Sequence, residues 1–436
     1  MLILVAGLIT ACTKRNPDLC CTTDAECSAI GFSSHAPCDL GVCVKNECTT
    51  APNTCDDDSD CAAGTFCVAG SCTACASSTT CPTAAPVCDA VAHDCRACAQ
   101  DSECASLACD LAAGTCVDPA EILYASPHGA DTDPCTRAAP CALAGAAQRV
   151  NSNQSYIALL PGNHTGGASF KDQVVTIAGN GATIEQIDPH TSTIDIEGGV
   201  VTIRDIHFEE HLLSNPSGDG VAVLFGRKTT LNINKLTSHT TLLLAIYGGG
   251  PNDISLTNST LSGRSLNNLT DGHITIDRCA FDSELFVRGS LTLTNSILVS
   301  QPDSPAITLF DNEQSTSNST AINNTFIGGR LPCNSNAFRL NSNIMVNTKI
   351  EYTPGTCYYS YNLFSPDIVS NSVTNIIGDP KFVDAAAHNF HLRSDSPARD
   401  AADPFLVSAA HDYDGTPRPQ GPRYDIGAFE FIPATP

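Results

Sequence analysis

The amino-acid sequence predicts an all-β fold: a parallel β-helix preceded by a small disulfide-rich repeat region. The first observation is the stretch Gly198 to Phe208, where Val201 and Ile203 alternate with polar residues as in a strand with one buried face. The second is that this alternation recurs several times further along the chain. The third is the cysteine distribution, because 18 of the 24 cysteines lie between Cys20 and Cys116.

Composition and charge narrow the class of protein. The chain has 436 residues, enough for more than one domain, and it contains no Trp and only 6% aromatic residues. Such a composition suits short strands and turns rather than helices packed on large side chains. The formal charge of −24 argues against nucleic acid as a partner, because phosphate binding requires a basic surface. The cysteine content indicates an oxidising compartment, and we expect no cofactor.

The amino terminus has the features of an export signal. Residues 1–11 are mostly apolar, and Cys12 follows them directly. The tetrapeptide Ile9-Thr-Ala-Cys12 resembles the lipobox of bacterial lipoproteins, although no Lys or Arg precedes the apolar run. The resemblance implies a signal peptide at 1–11, lipidation of Cys12 and a tether at 12–19, so that the lipid alone would hold the protein on a membrane.

The residue after the cysteine bears on localisation. Thr13 stands where Asp would otherwise signal retention, and by resemblance to the enterobacterial sorting rule this implies the outer membrane or the cell surface. The alternative is an ordinary secreted protein in which Cys12 is paired or removed.

Residues 20–118 form cysteine-rich units with a repeated spacing. Three units have four cysteines each, with five residues between the first and the second: Cys55, Cys61, Cys67 and Cys72; Cys75, Cys81, Cys88 and Cys95; Cys98, Cys104, Cys109 and Cys116. An earlier, longer unit contains Cys20, Cys21, Cys27, Cys38, Cys43 and Cys48. Units this small cannot enclose an apolar core, so disulfides must stabilise them, and four cysteines allow three connectivities. Zinc is disfavoured because the C-x2-C pairs fall between units.

The units also carry an acidic turn. Asp56, Asp58 and Asp60 are weak candidates for calcium ligands, but milder versions of the same run occur in other units, which favours a recurring turn element. The units resemble the short Cys-rich repeats of surface proteins from myxobacteria and their relatives. The resemblance implies a stiff stalk or an interaction module.

The second domain, 121–432, opens with a short strand, a loop, a helix at 142–150 and the strand Tyr156–Leu160. The order from YASPHGADTDPC through PCALAGAAQRV to YIALLPGNHT resembles the start of right-handed parallel β-helix domains of the pectate-lyase-like superfamily. The resemblance implies that the helix caps the open end of the stack. We also expect Cys135 and Cys141, which flank the helix start, to be bridged.

Seven apolar anchors mark successive coils of the predicted stack: Ile203, Ile233, Leu256, Ile276, Leu293, Ile322 and Leu340. Their spacing varies, which fits a β-helix with loops of different length and argues against strict hexapeptide repeats and propellers. A turn position follows two residues later, at Asp205, Lys235, Asn258, Arg278, Asn295, Asn324 and Ser342. An apolar position follows three residues further, at Phe208, Leu261, Phe281, Leu298, Ile327 and Met345. Cys279 should be a free buried thiol, and Cys333 and Cys357 should bridge a late loop.

The carboxy-terminal segment, 379–432, contains the most specific motifs. Its pattern DPxFVD…HLxxxSPAxD…DxDGxPRP…DIGAxE resembles the closing segment of bacterial surface and secreted right-handed β-helix proteins. Asp412 and Asp414 could bind calcium, but the resemblance favours turns and side-chain hydrogen bonds that close the last coil.

The sequence contains no convincing catalytic set. Arg204, His207, Glu209 and Glu210 are weak catalytic candidates, but Arg204 and His207 lie on opposite sides of a turn. A solvated surface is the better interpretation of this cluster. We therefore expect a cell-surface lipoprotein that displays a non-catalytic β-helix for binding a polysaccharide or a protein partner. The alternative is a carbohydrate-active enzyme, a polysaccharide lyase or glycoside hydrolase, on the same fold.

Overall fold

The chain divides into two compact units, Met1–Val117 and Asp118–Pro436. The computed structural model describes residues 41–44, 47–50, 55, 57–58, 61–62, 64–186, 192–210, 224–246, 252–268, 272–282, 284–310, 319–333, 338–352, 357–366, 373–405 and 410–433. The predicted signal peptide and Cys12 lie outside these ranges. Within them, no helix has the length and apolar character needed to cross a membrane.

The first unit consists of short antiparallel hairpins. Its strands are β1 (Gly41–Val44), β2 (Glu47–Thr50), β3 (Phe66–Val68), β4 (Ser71–Thr73), β5 (Val87–Cys88), β6 (Cys95–Arg96), β7 (Cys109–Asp110) and β8 (Thr115–Cys116). Each hairpin places two cysteines opposite each other, and Cys43 and Cys48 of β1 and β2 follow the same register as Cys67 and Cys72. The longer unit therefore shares the hairpin of the three shorter ones.

The disulfides select one of the three connectivities that the sequence left open. In each four-cysteine unit the first cysteine joins the third and the second joins the fourth, with Cα atoms 5.4–6.1 Å apart. The pairs are Cys55–Cys67, Cys61–Cys72, Cys75–Cys88, Cys81–Cys95, Cys98–Cys109 and Cys104–Cys116. These bridges also explain why the sulfurs of each unit lie close together, an arrangement that would otherwise suggest a metal site.

The acidic turn has a structural role in this pattern. Asp58, Ser78 and Asp101 occupy the same place in their units. Each accepts a hydrogen bond from the backbone N–H of the unit's third cysteine, at 2.8, 3.1 and 2.8 Å. A hydroxyl serves as well as a carboxylate here, so the position requires an acceptor rather than a calcium ligand. The other two calcium candidates, Asp56 and Asp60, lie outside the described residues.

The second unit is mostly a stack of parallel strands, with an α-helix, α1 (Leu143–Arg149), near its start. An antiparallel pair, Phe382–Asp384 with Asn389–Leu392, lies in its carboxy-terminal segment. The strands from the start of the stack to its middle are β9 (Ile122–Ala125), β10 (Tyr156–Leu159), β11 (Asn163–Thr165), β12 (Ala168–Lys171), β13 (Val174–Gln186), β14 (Ile194–Glu197), β15 (Val200–Glu210), β16 (Leu224–Arg227), β17 (Thr230–Ile246), β18 (Asp253–Thr257), β19 (Thr260–Asn268), β20 (His273–Asp277), β21 (Ala280–Phe281) and β22 (Leu285–Arg288). The later strands are β23 (Ser290–Thr294), β24 (Ile297–Val299), β25 (Ile307–Phe310), β26 (Thr320–Ile322), β27 (Thr325–Ile327), β28 (Arg330–Cys333), β29 (Phe338–Asn341), β30 (Ile344–Val346), β31 (Lys349–Tyr352), β32 (Cys357–Ser360), β33 (Leu363–Ser365), β34 (Ile376–Ile377), β35 (Phe382–Asp384) and β36 (Asn389–Leu392). A disulfide joins Cys135 and Cys141 beside α1.

Strand pairing runs from coil to coil and aligns one column of side chains along the whole stack. The column contains Leu123, Ile157, Ile177, Ile203, Ile233, Leu256, Ile276, Leu293, Ala321, Leu340 and Tyr359. One predicted anchor is wrong: Ala321 pairs with Leu293 and Leu340, whereas Ile322 belongs to the neighbouring column. Both residues are apolar, so the sequence pattern allowed two registers, and a slip of one residue exchanges the two faces of a strand.

The same slip affects the next two predicted columns in that coil. Phe326, not Ile327, pairs with Leu298 and Met345 in the interior. Asn323, not Asn324, has the left-handed backbone of the turn column, with φ of 56°. The other six predicted turn residues all have φ between 46° and 58°. Asn and Asp tolerate this conformation, and the bend is sharp enough to impose it on Lys235 and Arg278 as well.

From Ser259 onward, the residue after the bend carries a polar side chain, and these side chains form a ladder between coils. The earlier bends at Asp205 and Lys235 are followed by the apolar Ile206 and Leu236. Asn343 is typical: its Oδ1 accepts from the backbone N–H of Asn324 at 2.9 Å, and its Nδ2 donates to Asn362 Oδ1 at 3.0 Å and to the Ala321 carbonyl at 2.8 Å. We call this set the bend ladder; its members are Ser259, Cys279, Ser296, Asn324, Asn343, Asn362 and Asn375. It satisfies backbone N–H groups at the bend, where they would otherwise be buried without a partner.

Cys279 takes its place in this ladder as a thiol. It donates to the Leu256 carbonyl at 3.5 Å, and burial raises its pKa to about 12. Among the described residues it is the free cysteine that the sequence predicts. Cys357 is disulfide-bonded, but the side chain of Cys333 lies outside the described residues, so that pair stays a prediction.

The carboxy-terminal segment packs along the side of the stack rather than only across its last coil. Its Phe390 and Phe429 contact Ile297, and further along Leu392 and Ile426 pack on Ile344 and Leu363. Gly427 donates to the Ser342 carbonyl, and an added Cβ there would lie 2.6 Å from Ile344, so only glycine allows this approach. The segment was predicted to close the last coil; it also covers apolar outward residues of the earlier coils.

We call the carboxy-terminal segment, 379–432, the cover, because it lies over these outward residues. A buried network of polar contacts stabilises it. Arg418 and Glu430 form a fully buried ion pair at 2.8 Å, and Arg418 also donates to the carbonyls of Asp425 and Gly427. The Asp412 carboxylate accepts from the N–H groups of Asp414, Thr416 and Glu430 at 2.7–3.0 Å. These contacts account for the motif residues of the segment, and they use the Asp412 oxygens that a calcium ion would need.

The bend ladder should be essential for stability. We expect Asn343→Ala to lower the free energy of unfolding by about 2–4 kcal/mol, because it leaves a buried N–H and a buried carbonyl without partners. Urea unfolding measures the change. Asn232→Ala is the matched control, since Asn232 is half-buried on the outer side of its strand and should unfold like wild type. Equal unfolding midpoints for Asn343→Ala and Asn232→Ala would contradict the role of the ladder.

The Arg418–Glu430 pair should show the asymmetry of buried ion pairs. Arg418→Met is expected to cost about 3–5 kcal/mol, whereas the double change Arg418→Met with Glu430→Met should restore most of that loss. Burial raises the pKa of Glu430. A carboxyl with a raised pKa in the folded state favours folding at low pH and loses that contribution as the pH rises through the folded pKa. Arg418 lowers the pKa of Glu430, so removing Arg418 should raise that pKa further, and protonation of Glu430 would then relieve the buried charge. The deficit of Arg418→Met should therefore be smaller at pH 5 than at pH 8, and a pH-independent deficit would contradict this account.

Candidate functional site

A cleft of about 540 Å³ lies where the carboxy-terminal segment meets the side of the stack. One wall comes from three successive coils: Thr260, Leu261 and Ser262 of β19, Ala280, Phe281 and Asp282 at β21, and Ile297 and Val299 of β24. The other wall comes from the carboxy-terminal segment: His388, Asn389, Phe390, His391, Tyr413, Asp414 and Phe429.

The cleft exists because the outward column of the stack changes in size along these coils. Thr260, Ala280 and Ile297 are paired in register on adjacent strands. Phe390 and Phe429 pack on Ile297, where the cover begins. Thr260 and Ala280 lie on the two preceding strands, and their small side chains leave space between the stack and the cover. The cleft therefore lies at the open edge of the interface between these three coils and the carboxy-terminal segment.

His391 is the central polar group of the cleft. Its Nδ1 lies 2.7 Å from Asn389 Oδ1, its Nε2 lies 2.6 Å from Asp414 Oδ2, and its ring packs 4.1 Å from that of Phe429. The His391 backbone N–H also donates to Asn389 Oδ1, which fixes the direction of that amide. Both ring nitrogens are therefore engaged with side-chain oxygens of the protein.

Tyr413 supports the same wall. Its ring lies 5.3 Å from Phe429, and its hydroxyl is hydrogen-bonded to Thr260 on the opposite wall. Burial raises the pKa of Tyr413, so the phenol stays protonated and can both donate and accept. The floor of the cleft is therefore aromatic, and its rim carries hydroxyl, amide, imidazole and carboxylate groups.

The catalytic candidates from the sequence lie elsewhere. Arg204 is buried and pairs in register with Ala178 and Asn234. His207 follows the bend at Asp205, and its Nδ1 lies 2.7 Å from Thr237 Oγ1. Glu209 is half-buried two residues later on the same strand, and the side chain of Glu210 lies outside the described residues. None of them lines the cleft as described.

His391, Asn389 and Tyr413 were not among the site residues predicted from the sequence. The motifs that contain them were visible, but they indicated a structural segment. The available signal was the alternation in Asn389-Phe-His-Leu392, which places Asn389 and His391 on one side of a strand. Their distance in sequence from Thr260 and Ala280 hid the shared site.

Comparisons with known proteins support the fold. No protein-family model matches the chain, and no curated protein matches it in sequence. Among solved structures, the chain is similar to a crystal structure of the pectate lyase Pel9A, with a TM-score of 0.50 and 16% sequence identity, over 71% of this chain and 96% of that one. At this identity the likeness shows the fold alone. The second unit is a right-handed parallel β-helix, and a disulfide-rich region precedes it in the sequence.

Proposed function

We propose that this protein is an exported, lipid-anchored surface protein whose β-helix binds carbohydrate in the cleft without cleaving it. The observation that carries the proposal is the cleft itself: a cavity within the size range of small-ligand pockets, with an aromatic floor and a few convergent polar groups. The similar solved structure is named a pectate lyase, and pectate is a polysaccharide. That analogy of fold supports carbohydrate as the class of ligand.

The geometry favours binding over catalysis. A lyase requires a base with a free position and a cation that offsets the charge of the substrate. Both nitrogens of His391 are engaged with neighbouring side chains, and the described lining contains neither Lys nor Arg. A hydrolase requires two carboxyl groups directed at one bond, whereas Asp414 is directed at His391. A binding site places no such demands on these groups.

Membrane anchoring rests on the sequence alone. The apolar residues 1–11 and the lipobox-like Ile9-Thr-Ala-Cys12 support it. We expect the mature protein to begin at Cys12 and to carry the added mass of acyl chains. Mass spectrometry of protein extracted from membranes measures this mass, and Cys12→Ser should release the protein in soluble form. A mature amino terminus without lipid would contradict the anchoring and leave the binding proposal untouched.

Carbohydrate binding can be tested on the full chain with a glycan array that contains neutral, amino and uronic oligosaccharides. We expect binding that Ala280→Trp reduces at least about tenfold, because the indole fills the cleft. Thr183→Trp is the matched control: Thr183 belongs to the same outward column, three coils before Thr260, and does not line the cleft. Its binding should equal that of wild type.

Two outcomes would contradict the proposal. One is the absence of binding to any glycan on the array, and the other is equal loss of binding in Ala280→Trp and Thr183→Trp. Incubation of each bound oligosaccharide with the protein, followed by chromatography, tests catalysis. The appearance of shorter products that Ala280→Trp no longer forms would favour the enzyme alternative.

A further inference from the structure

We infer that the cleft binds the end of a glycan chain and excludes an internal stretch of the same chain. This rests on the proposed function and specifies the part of the glycan that is recognised. Contacts between the cover and the stack close the cleft on three sides.

The first closed side lies at Ile297, on the last of the three coils that line the cleft. Phe390 and Phe429 of the cover pack on Ile297, and Val299 packs against the same cluster. The two aromatic side chains are only 3% and 4% exposed. A glycan could continue past Ile297 only by displacing them, which would expose apolar surface to water.

The second closed side lies at Thr260, on the first of the three coils. The hydroxyl of Tyr413 is hydrogen-bonded to Thr260, and the Tyr413 ring lies 5.3 Å from Phe429. Thr260, Ala280 and Ile297 are paired in register, so these two closed sides are two strand spacings apart, or about 10 Å. Tyr413 therefore blocks the direction along the stack that is opposite to Ile297.

The third closed side lies at the bend that precedes Ala280. The turn after Tyr413 reaches this bend, where a Cβ atom added to Gly415 would lie 3.9 Å from a guanidinium nitrogen of Arg278. Arg278 is itself paired with Asp277 at 3.0 Å. Within the described part of the second unit, the cleft continues in the remaining direction, away from the bend, where its lining residues on the stack are Ser262, Asp282 and Val299.

The fold of the cover keeps these sides closed. The Tyr413 N–H donates to the Ala428 carbonyl at 2.9 Å, and the buried Arg418–Glu430 pair lies in the same segment. A glycan must therefore fit the cleft as it stands. An internal stretch has to leave the cleft at two places, whereas a terminal residue needs one opening. Both ends of a glycan meet this condition, because each is a terminal sugar residue.

The test counts binding sites on linear polysaccharides before and after they are shortened. The probes are galactan, mannan, xylan, glucan and polygalacturonate, each as the long polymer and as its acid hydrolysate, and calorimetric titration measures their binding to the full chain. A hydrolysate with about tenfold more chain ends should bind about tenfold more protein per gram. Internal sites would give an equal or lower capacity after hydrolysis. Borohydride reduction, which alters only the reducing ends, then identifies the end that binds.

Tyr413→Ala tests whether the closed side at Thr260 causes this behaviour. Removing the ring opens the cleft towards the preceding coil, so internal stretches should also bind and the gain on hydrolysis should fall. Tyr358→Ala is the matched control, since Tyr358 is 64% exposed and does not line the cleft, and it should keep the gain of wild type. If Tyr413→Ala does not fold, Tyr413→Phe takes its place, because it removes only the hydrogen bond to Thr260.

The outcomes separate this inference from the proposed function. If a long polymer and its hydrolysate bind equal amounts of protein per gram, and Ala280→Trp abolishes that binding, end recognition is overturned while carbohydrate binding in the cleft stands. If the gain on hydrolysis is the same in the Tyr413 variant as in wild type, the closed side at Thr260 is not its cause and the inference is overturned. If no probe binds, the inference fails, and the glycan array decides the proposed function by itself.

Discussion

The structure depends on the way in which each coil satisfies the backbone of its neighbour at the bend. A left-handed residue turns the chain out of one strand, and the next N–H would then face the interior without a partner. A side-chain acceptor from the following coil takes that hydrogen bond, and the acceptor changes from Ser259 to Ser296 to Asn343 along the stack. Between Leu236 and Asn362 the following coil supplies this acceptor repeatedly, so loops of very different length can be carried on a constant core.

This constraint also explains which features the sequence predicts well. The stacked strands and most bend residues follow from strand alternation and from bend side chains that tolerate positive φ. The helix α1 (Leu143–Arg149) lies within the stretch 142–150 that was predicted to be helical. The register failed only at Thr320-Ala-Ile-Asn-Asn324, where two neighbouring apolar residues precede two asparagines and either frame satisfies the pattern. Pairing with Leu293 and Leu340 decides the frame, and such pairing is not visible in one strand alone.

The cleft was less predictable for a similar reason. Its two walls come from residues 260–299 and 388–429, which are far apart in the sequence. The cover reaches the stack because Ile344, Leu363 and Ile297 present apolar side chains outward. The motifs of the carboxy-terminal segment indicated turns and hydrogen bonds, which Arg418, Glu430 and Asp412 indeed form. The polar groups of His391 and Asp414 line the cleft because they lie at the edge of the cover. No local sequence pattern indicates which residues form that edge.

The position of the cleft bears on the kind of function that it supports. Its central contacts, His391 with Asn389 and Asp414, lie within the cover itself, and Tyr413 joins the cover to Thr260 on the wall. A ligand therefore meets groups that are already held in place by one another and by the buried Arg418–Glu430 pair. Preorganisation of this kind lowers the entropic cost of binding a ligand, which agrees with the binding role that we propose for the cleft.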